Sequence, residues 1–257
     1  MKNKTLLRGL WLGLALFTIL SCSDKECCVD VRFFDAAGDL TGTMTNFRNA
    51  LGVDNGGVAG SQAGGRREIN WDGLPDSVCT PNGYLGNFFN MNRPGQARGI
   101  EFTTPGMGVI VSADSNNPTN TPKSFGNINP TYTQIFPPFS GERIFSPIGS
   151  NIVDIRFFVP GSSERATVRA FGAVYLDVDM EENDAFEFFD KDDNSLGKYS
   201  TPVLNEGPVF LGLLFDESIV HRIRIRYGNS ALGPNDGNGI DVSVMDDFIF
   251  SEPVKIP

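Results

Sequence analysis

Ile240-Asp241-Val242-Ser243-Val244-Met245-Asp246-Asp247-Phe248-Ile249-Phe250 decides how this chain is read. Val242, Val244, Phe248 and Phe250 share one parity, and at the two-residue period of a strand they face one side, the side of a core. Asp246 falls on that same side, between Val244 and Phe248, while Asp247 points the other way unless the strand bulges there. A carboxylate is costly to bury alone, so Asp246 calls for a cation, a guanidinium or several donors. The expectation is a closing strand packed on a second layer, with an acid turned inward.

Working back from that strand, short apolar runs alternate with turn clusters. Residues 152–159 form a run ended by Pro160-Gly161, and 167–180 make one or two strands. Residues 185–189 lead into the turn Asp190-Lys191-Asp192-Asp193-Asn194, and 196–199 return. Residues 209–215 and 220–227 follow. Strands so spaced, joined by Gly, Pro, Asn and Asp, predict an all-β antiparallel sandwich. Within 167–180, Val174, Leu176, Val178 and Met180 share one parity, and Asp177 and Asp179 the other. Two carboxylates two apart on a strand project to one side, roughly 7 Å between Cα atoms, a suitable start for a hard oxygen-ligated cation. The metal candidates are therefore Asp246, Asp247, Asp177 and Asp179, with Ca2+ as the ion. A salt bridge from Asp246 to Arg222, Arg224 or Arg226 is the plainer alternative. The 190–195 turn lacks the glycine and terminal glutamate of an EF-hand and reads as a solvated hairpin.

Upstream the pattern weakens. Ile69 and Trp71 share a strand face in 66–73, but 112–140 has almost no periodicity, so it is a functional loop or a misread element. Residues 53–65 carry five glycines and read as a linker or mobile loop, with Arg66-Arg67 an ordinary surface pair. A short helix is expected over 45–52 and a short strand over 29–34. The 257 residues are 40% hydrophobic and 20% charged, enough for a real core. The 29 Gly, 16 Pro and 21 Phe speak against a helical bundle. A net charge of −10 speaks against nucleic-acid partners, which require a basic face.

The N-terminus reads as an address. Lys2, Lys4 and Arg8 precede an apolar run over 9–20, shorter than the roughly 20 residues a bilayer span needs. Ile19-Leu20-Ser21-Cys22 resembles a bacterial lipoprotein box, which makes 1–21 a signal peptide and Cys22 the lipidated residue. The partner this implies is a membrane, reached through the lipid. Ser23-Asp24-Lys25-Glu26 is similar to the acidic tags that send some lipoproteins to the cell surface, so the expected location is the outer membrane or surface. In an oxidising compartment Cys79 is expected to pair with Cys27 or Cys28.

Phe171-Gly172-Ala173-Val174-Tyr175, Phe188-Phe189-Asp190, Phe210-Leu211-Gly212, Ile223-Arg224-Ile225 and Val244-Met245-Asp246-Asp247-Phe248 occur in an order that resembles the jelly-roll β-sandwich of secreted bacterial proteins carrying PEP-CTERM sorting signals. The closing strand is similar to that of MAM-type and carbohydrate-binding jelly rolls. The resemblance implies a cation held by acids of the closing strand, here Asp246 or Asp247. The domain plan is a 1–21 signal, a 22–65 tether with one short helix, and a 66–257 jelly-roll sandwich with long loops, best defined over 143–253. No GxSxG elbow exists and His221 is the single histidine, so a catalytic triad has little to draw on. The expected function is an envelope binding module that meets glycans or proteins, with Tyr84, Phe88, Phe89, Asn90 and Tyr132 as a patch unless they are core. A carbohydrate-active enzyme and a purely structural envelope protein are the alternatives.

Overall fold

The computed structural model describes residues 30–256. The signal segment, Cys22, Cys27 and Cys28 lie outside that range, and with them the anchor and the expected partners of Cys79, which is itself buried. The elements begin with β1 (Val31–Ala37), α1 (Thr41–Leu51), β2 (Arg66–Ile69), β3 (Ile100–Thr103), β4 (Gly108–Val111), α2 (Tyr132–Ile135), β5 (Phe145–Ile148) and β6 (Ile152–Phe157). They continue with β7 (Ala166–Thr167), β8 (Ala170–Val178), β9 (Ala185–Phe189), β10 (Ser195–Ser200), β11 (Leu204–Phe215), β12 (Arg222–Arg226), β13 (Val244–Ser251) and β14 (Val254–Lys255). Antiparallel pairing gathers them into a seven-stranded sheet, β1-β11-β8-β13-β5-β4 with β2 also on β13, and a five-stranded sheet, β10-β9-β12-β6-β3. β7 and β14 form a separate ribbon. The described residues are mostly β and sandwich-like, with two α-helices among them where one short helix is expected.

The five-stranded sheet keeps the alternation that made it legible. Val153, Ile155 and Phe157 of β6 and Ile223 and Ile225 of β12 enter the core between the sheets. Asp154 and Arg224 pair on the other face at 2.9 Å. The seven-stranded sheet is buried on both faces instead. Phe171, Ala173 and Tyr175 of β8 face the inter-sheet core, while Ala170, Val174 and Leu176 face an outer cover. Part of that cover is α1, whose Phe47 rests on Gly172 and Gly212, cross-strand partners on β8 and β11. A Cβ at those glycines would stand 3.0 and 3.1 Å from the Phe47 ring, so side chains there would crowd the helix off the sheet. The rest is the 112–140 stretch, whose Phe125, Tyr132 and Phe136 are wholly buried. It has no periodicity because, apart from the single turn of α2, it packs as an irregular cover.

The expected tether boundary moves. β1 pairs with β11 along its whole length and α1 packs on the sheet, so 31–51 belong to the body. The helix starts at Thr41, whose N–H donates to Asp39 Oδ1 at 3.0 Å. The 53–65 stretch is also tied down. Arg67, expected on the surface, is fully buried, pairs with Glu252 at 2.6 Å, and donates to the carbonyls of Gly56, Val58 and Gly60. A guanidinium offers five donors in a fixed fork, so one buried arginine orders a loop whose valines, Val53 and Val58, stay exposed. No helix among the described residues is long and apolar enough to cross a membrane.

Candidate metal centre

β13 does bulge, between Met245 and Phe248. The extra residue shifts the phase of the strand. Val242 and Val244 therefore face the outer cover while Phe248 and Phe250 face the inter-sheet core, and the expected common parity fails at the two aspartates. Asp246 is fully buried, as its position demanded. What meets it is backbone: Phe139 and Ser140 donate their N–H groups to Oδ2 at 2.8 and 3.1 Å. The Ser140 hydroxyl donates to Asp247 Oδ1 at 2.7 Å, and Arg48 stands 3.9 Å from Asp247 Oδ2. Of the arginines proposed as partners, Arg222 and Arg224 instead hold Asp154, on the other sheet. Burial pushes both carboxyls above the ordinary range, and the charge of Asp247 adds to the rise at Asp246. This pair pins the cover loop to β13.

The second pair is built differently. Alternation along β8 breaks at Asp177, which has φ +65°, and Val178 turns back into the inter-sheet core. Opposite, the β8–β11 register shifts between Leu204 and Pro208, and Glu206 sits in the gap with φ +52°. Left-handed backbone costs an L-residue with a side chain roughly 1–2 kcal/mol. The Glu206 N–H donates to Asp177 Oδ1 at 2.8 Å. The 229–243 loop closes over this end of the sandwich and brings in Asp236. Carboxylate oxygens of Asp177, Asp179 and Asp236 then lie within 4.8 Å of one another. Among the described residues these are the acids that converge as a set of three, and Asp246 and Asp247 do not join them.

The surroundings are short of donors and of positive charge. Asp177 is 1% exposed, and its Oδ2 has no hydrogen-bond partner. Asp179 Oδ1, Asp184 Oδ2 and Asp241 Oδ1 are buried without partners at the same end. None of these residues, nor Asp236, enters an ion pair among the described residues. Burial pushes the Asp177 carboxyl up to about 7, with the charges of Asp236, Asp179 and Asp241 adding to the rise. Burial and the Asp236 charge raise Asp179 as well. Asp184, which accepts from Gly228 N–H at 2.9 Å and from the Ser243 hydroxyl, is pushed by burial up to about 8. Crowded hard oxygens with open lone pairs are the donor set of a Ca2+-type ion. Two oxygens on one such ion, each contacted at about 2.4 Å, stand at most roughly 4.8 Å apart, and the three carboxylates fall within that limit.

Sequence parity found Asp177 and Asp179 but missed Asp236, which lies 57 residues after Asp179 in a loop. The available signal was the run Pro234-Asn235-Asp236-Gly237-Asn238-Gly239, a polar glycine-rich loop beside a strand carrying two acids. Of the two readings of Tyr84, Phe88, Phe89, Asn90 and Tyr132, surface patch or core, burial of all five bears out core. His221 is committed on both ring nitrogens, to the Ala166 carbonyl at 2.8 Å and Arg165 Nε at 3.1 Å. The 190–194 turn is a hairpin between β9 and β10, closed by Asp190 accepting from the Asp192 and Asn194 N–H groups. A scan against known protein families finds no matching model, and no curated protein or solved structure matches the chain.

Proposed function

We propose that the protein is a lipid-anchored binding module of the bacterial cell envelope, steadied by Ca2+ at Asp177, Asp179 and Asp236, that meets glycan or protein ligands through its loops. The observation that carries the ion is the convergence of three carboxylates around a fully buried Asp177 oxygen with no partner and no neighbouring cation. A hard divalent ion neutralises that charge, fills the open lone pairs and joins the 229–243 loop to β8. A jelly-roll order of strands, Cys22 as the anchor and a place in the outer membrane belong to the same proposal. The two antiparallel sheets support it in outline, and the tripartite N-terminal segment supports the anchor.

The test of the ion is a Ca2+ titration of the full chain in detergent, read by calorimetry and by thermal melting. Ca2+ at about one hundred times its Kd should stabilise the fold by roughly 2.7 kcal/mol, a rise of several degrees that excess EDTA reverses. A melt indifferent to both removes the ion. For the anchor, Cys22→Ser should move the protein from the membrane to the soluble fraction, and continued membrane association refutes lipidation at that residue.

A further inference from the structure

We infer that the cleft beside Arg98 takes a hexuronic acid residue of an acidic glycan. The inference deepens the glycan side of the proposed binding module and rests on that reading; the cleft shares no residue with the ion site. It holds about 220 Å3, and Pro75, Phe88, Phe89, Pro94, Gln96 and Arg98 help line it. Pockets for drug-sized ligands run to roughly 300–1,000 Å3, so this one has room for a single ring of a longer chain. The Arg98 guanidinium lies over the Phe89 ring, 4.9 Å from its centroid, which fixes the plane it presents. Its Nε donates to the Glu68 carbonyl at 2.7 Å and its Nη1 to that of Gly95. Of the five donors of a guanidinium, three are left over.

The charge is also left over. The chain has an excess of acids, with a net charge of −10, yet among the described residues no carboxylate forms an ion pair with half-buried Arg98. Burial pulls its pKa below the ordinary arginine value, and the charge of Asp54 works against that without reaching contact. A cation drawn out of water with no counter-ion is costly, and a ligand carboxylate on its free donors removes that cost. Gln96 lines the same cleft, and its Oε1 is buried with no hydrogen-bond partner. That amide can turn toward a ligand that brings a hydroxyl. The exposed rings of Pro75 and Pro94 supply apolar surface. A uronic acid has the matching parts: an apolar ring face, a carboxylate and hydroxyls beside it.

The experiment titrates the full chain in detergent with trimers of galacturonic acid and of glucuronic acid, read by calorimetry in EDTA so that no ion bridges sugar to protein. At least one acid trimer should bind, and its neutral methyl ester should bind tenfold or more weakly, since the charge-assisted bonds are gone. Gln96→Glu sets a protein carboxylate in the cleft to compete for Arg98, and should weaken the acid trimer at least tenfold. Gln96 Oε1 has no hydrogen bond to lose, so this variant should melt as wild type does. Arg98→Lys keeps the charge, loses the fork and should weaken binding as well. No binding of either acid trimer, equal binding of the ester, or wild-type affinity in Gln96→Glu overturns the inference. A tri-glutamate peptide that binds as well as the sugars shows that the cleft reads a carboxylate alone, and overturns the ligand class. Capture of neutral glycans without acid trimers leaves the binding module standing without this cleft, and capture of no glycan or protein removes both.

Discussion

Asp246 with Asp247 and Asp177 with Asp179 look alike on paper, yet the fold treats them in opposite ways. Both pairs sit at irregularities of the seven-stranded sheet, and burial raises the carboxyls of both. At β13 the cover loop turns two N–H groups and a hydroxyl onto the acids, and Arg48 stands near. At the end of β8 the neighbours are other acids, and four oxygens stay open. Burial alone therefore does not mark an ion site. The supply of donors separates the two: where the chain provides them a buried carboxylate is a fastener, and where donors are few and like charges crowd in, oxygens stay open, as the proposed ion requires.

The largest effect expected from this contrast is at β13. Asp246→Ala leaves the half-buried Phe139 and Ser140 N–H groups without their acceptor, and the loss of a buried partner costs about 1–3 kcal/mol each. Denaturant unfolding should show a destabilisation of about 3 kcal/mol, the same in Ca2+ and in EDTA. Asp236→Asn should do the reverse. In EDTA its stability should match or slightly exceed wild type, because one like charge is gone, and added Ca2+ should no longer stabilise it. If Asp246→Ala is the variant that loses the Ca2+ response, the ion belongs at β13 and the contrast inverts.

How much of this was legible follows the same physics. The five-stranded sheet has one wet face, so β6 alternates cleanly, the expected strand 185–189 has the bounds of β9, and 220–227 contains Arg222–Arg226. The seven-stranded sheet is covered on both faces, so period two carries less information there, and its two irregularities reverse parity where the aspartates lie. That is why the sequence rightly turns Asp246 inward but does not decide among a cation, a guanidinium and several donors, of which the donors of Phe139 and Ser140 meet it. Arg67 and the cover over 112–140 stayed hidden because their order comes from partners remote in sequence, such as Glu252 and the outer face of β8. Two of the three acids of the proposed ion site are visible in the sequence as Asp177 and Asp179. Asp236 arrives by a loop closure that no local pattern encodes.

Acidity separates the two regions with a smaller effect. A carboxyl whose pKa is raised by folding keeps its proton in the native state after the unfolded chain has lost it. Stability is then full below the ordinary carboxylate range, near pH 4, and falls as pH rises through the native value. Asp184, held up at about 8, and Asp246, raised by burial and by Asp247, both have this sign. His221 has the opposite sign, since burial lowers its pKa, but it is neutral in both states above the ordinary histidine range and drops out by pH 7. Between pH 7 and 9 in EDTA, the unfolding free energy should therefore fall by about 1–2 kcal/mol. Ca2+ should stabilise more at pH 9 than at pH 6, because protons and the ion compete for the oxygens at the end of β8. Asp246→Asn should flatten part of the slope in EDTA without changing that Ca2+ gain. Stability that stays flat across pH 7–9 in EDTA would mean that the raised acids are already ionised in the native protein, and the electrostatic basis of the contrast would be gone.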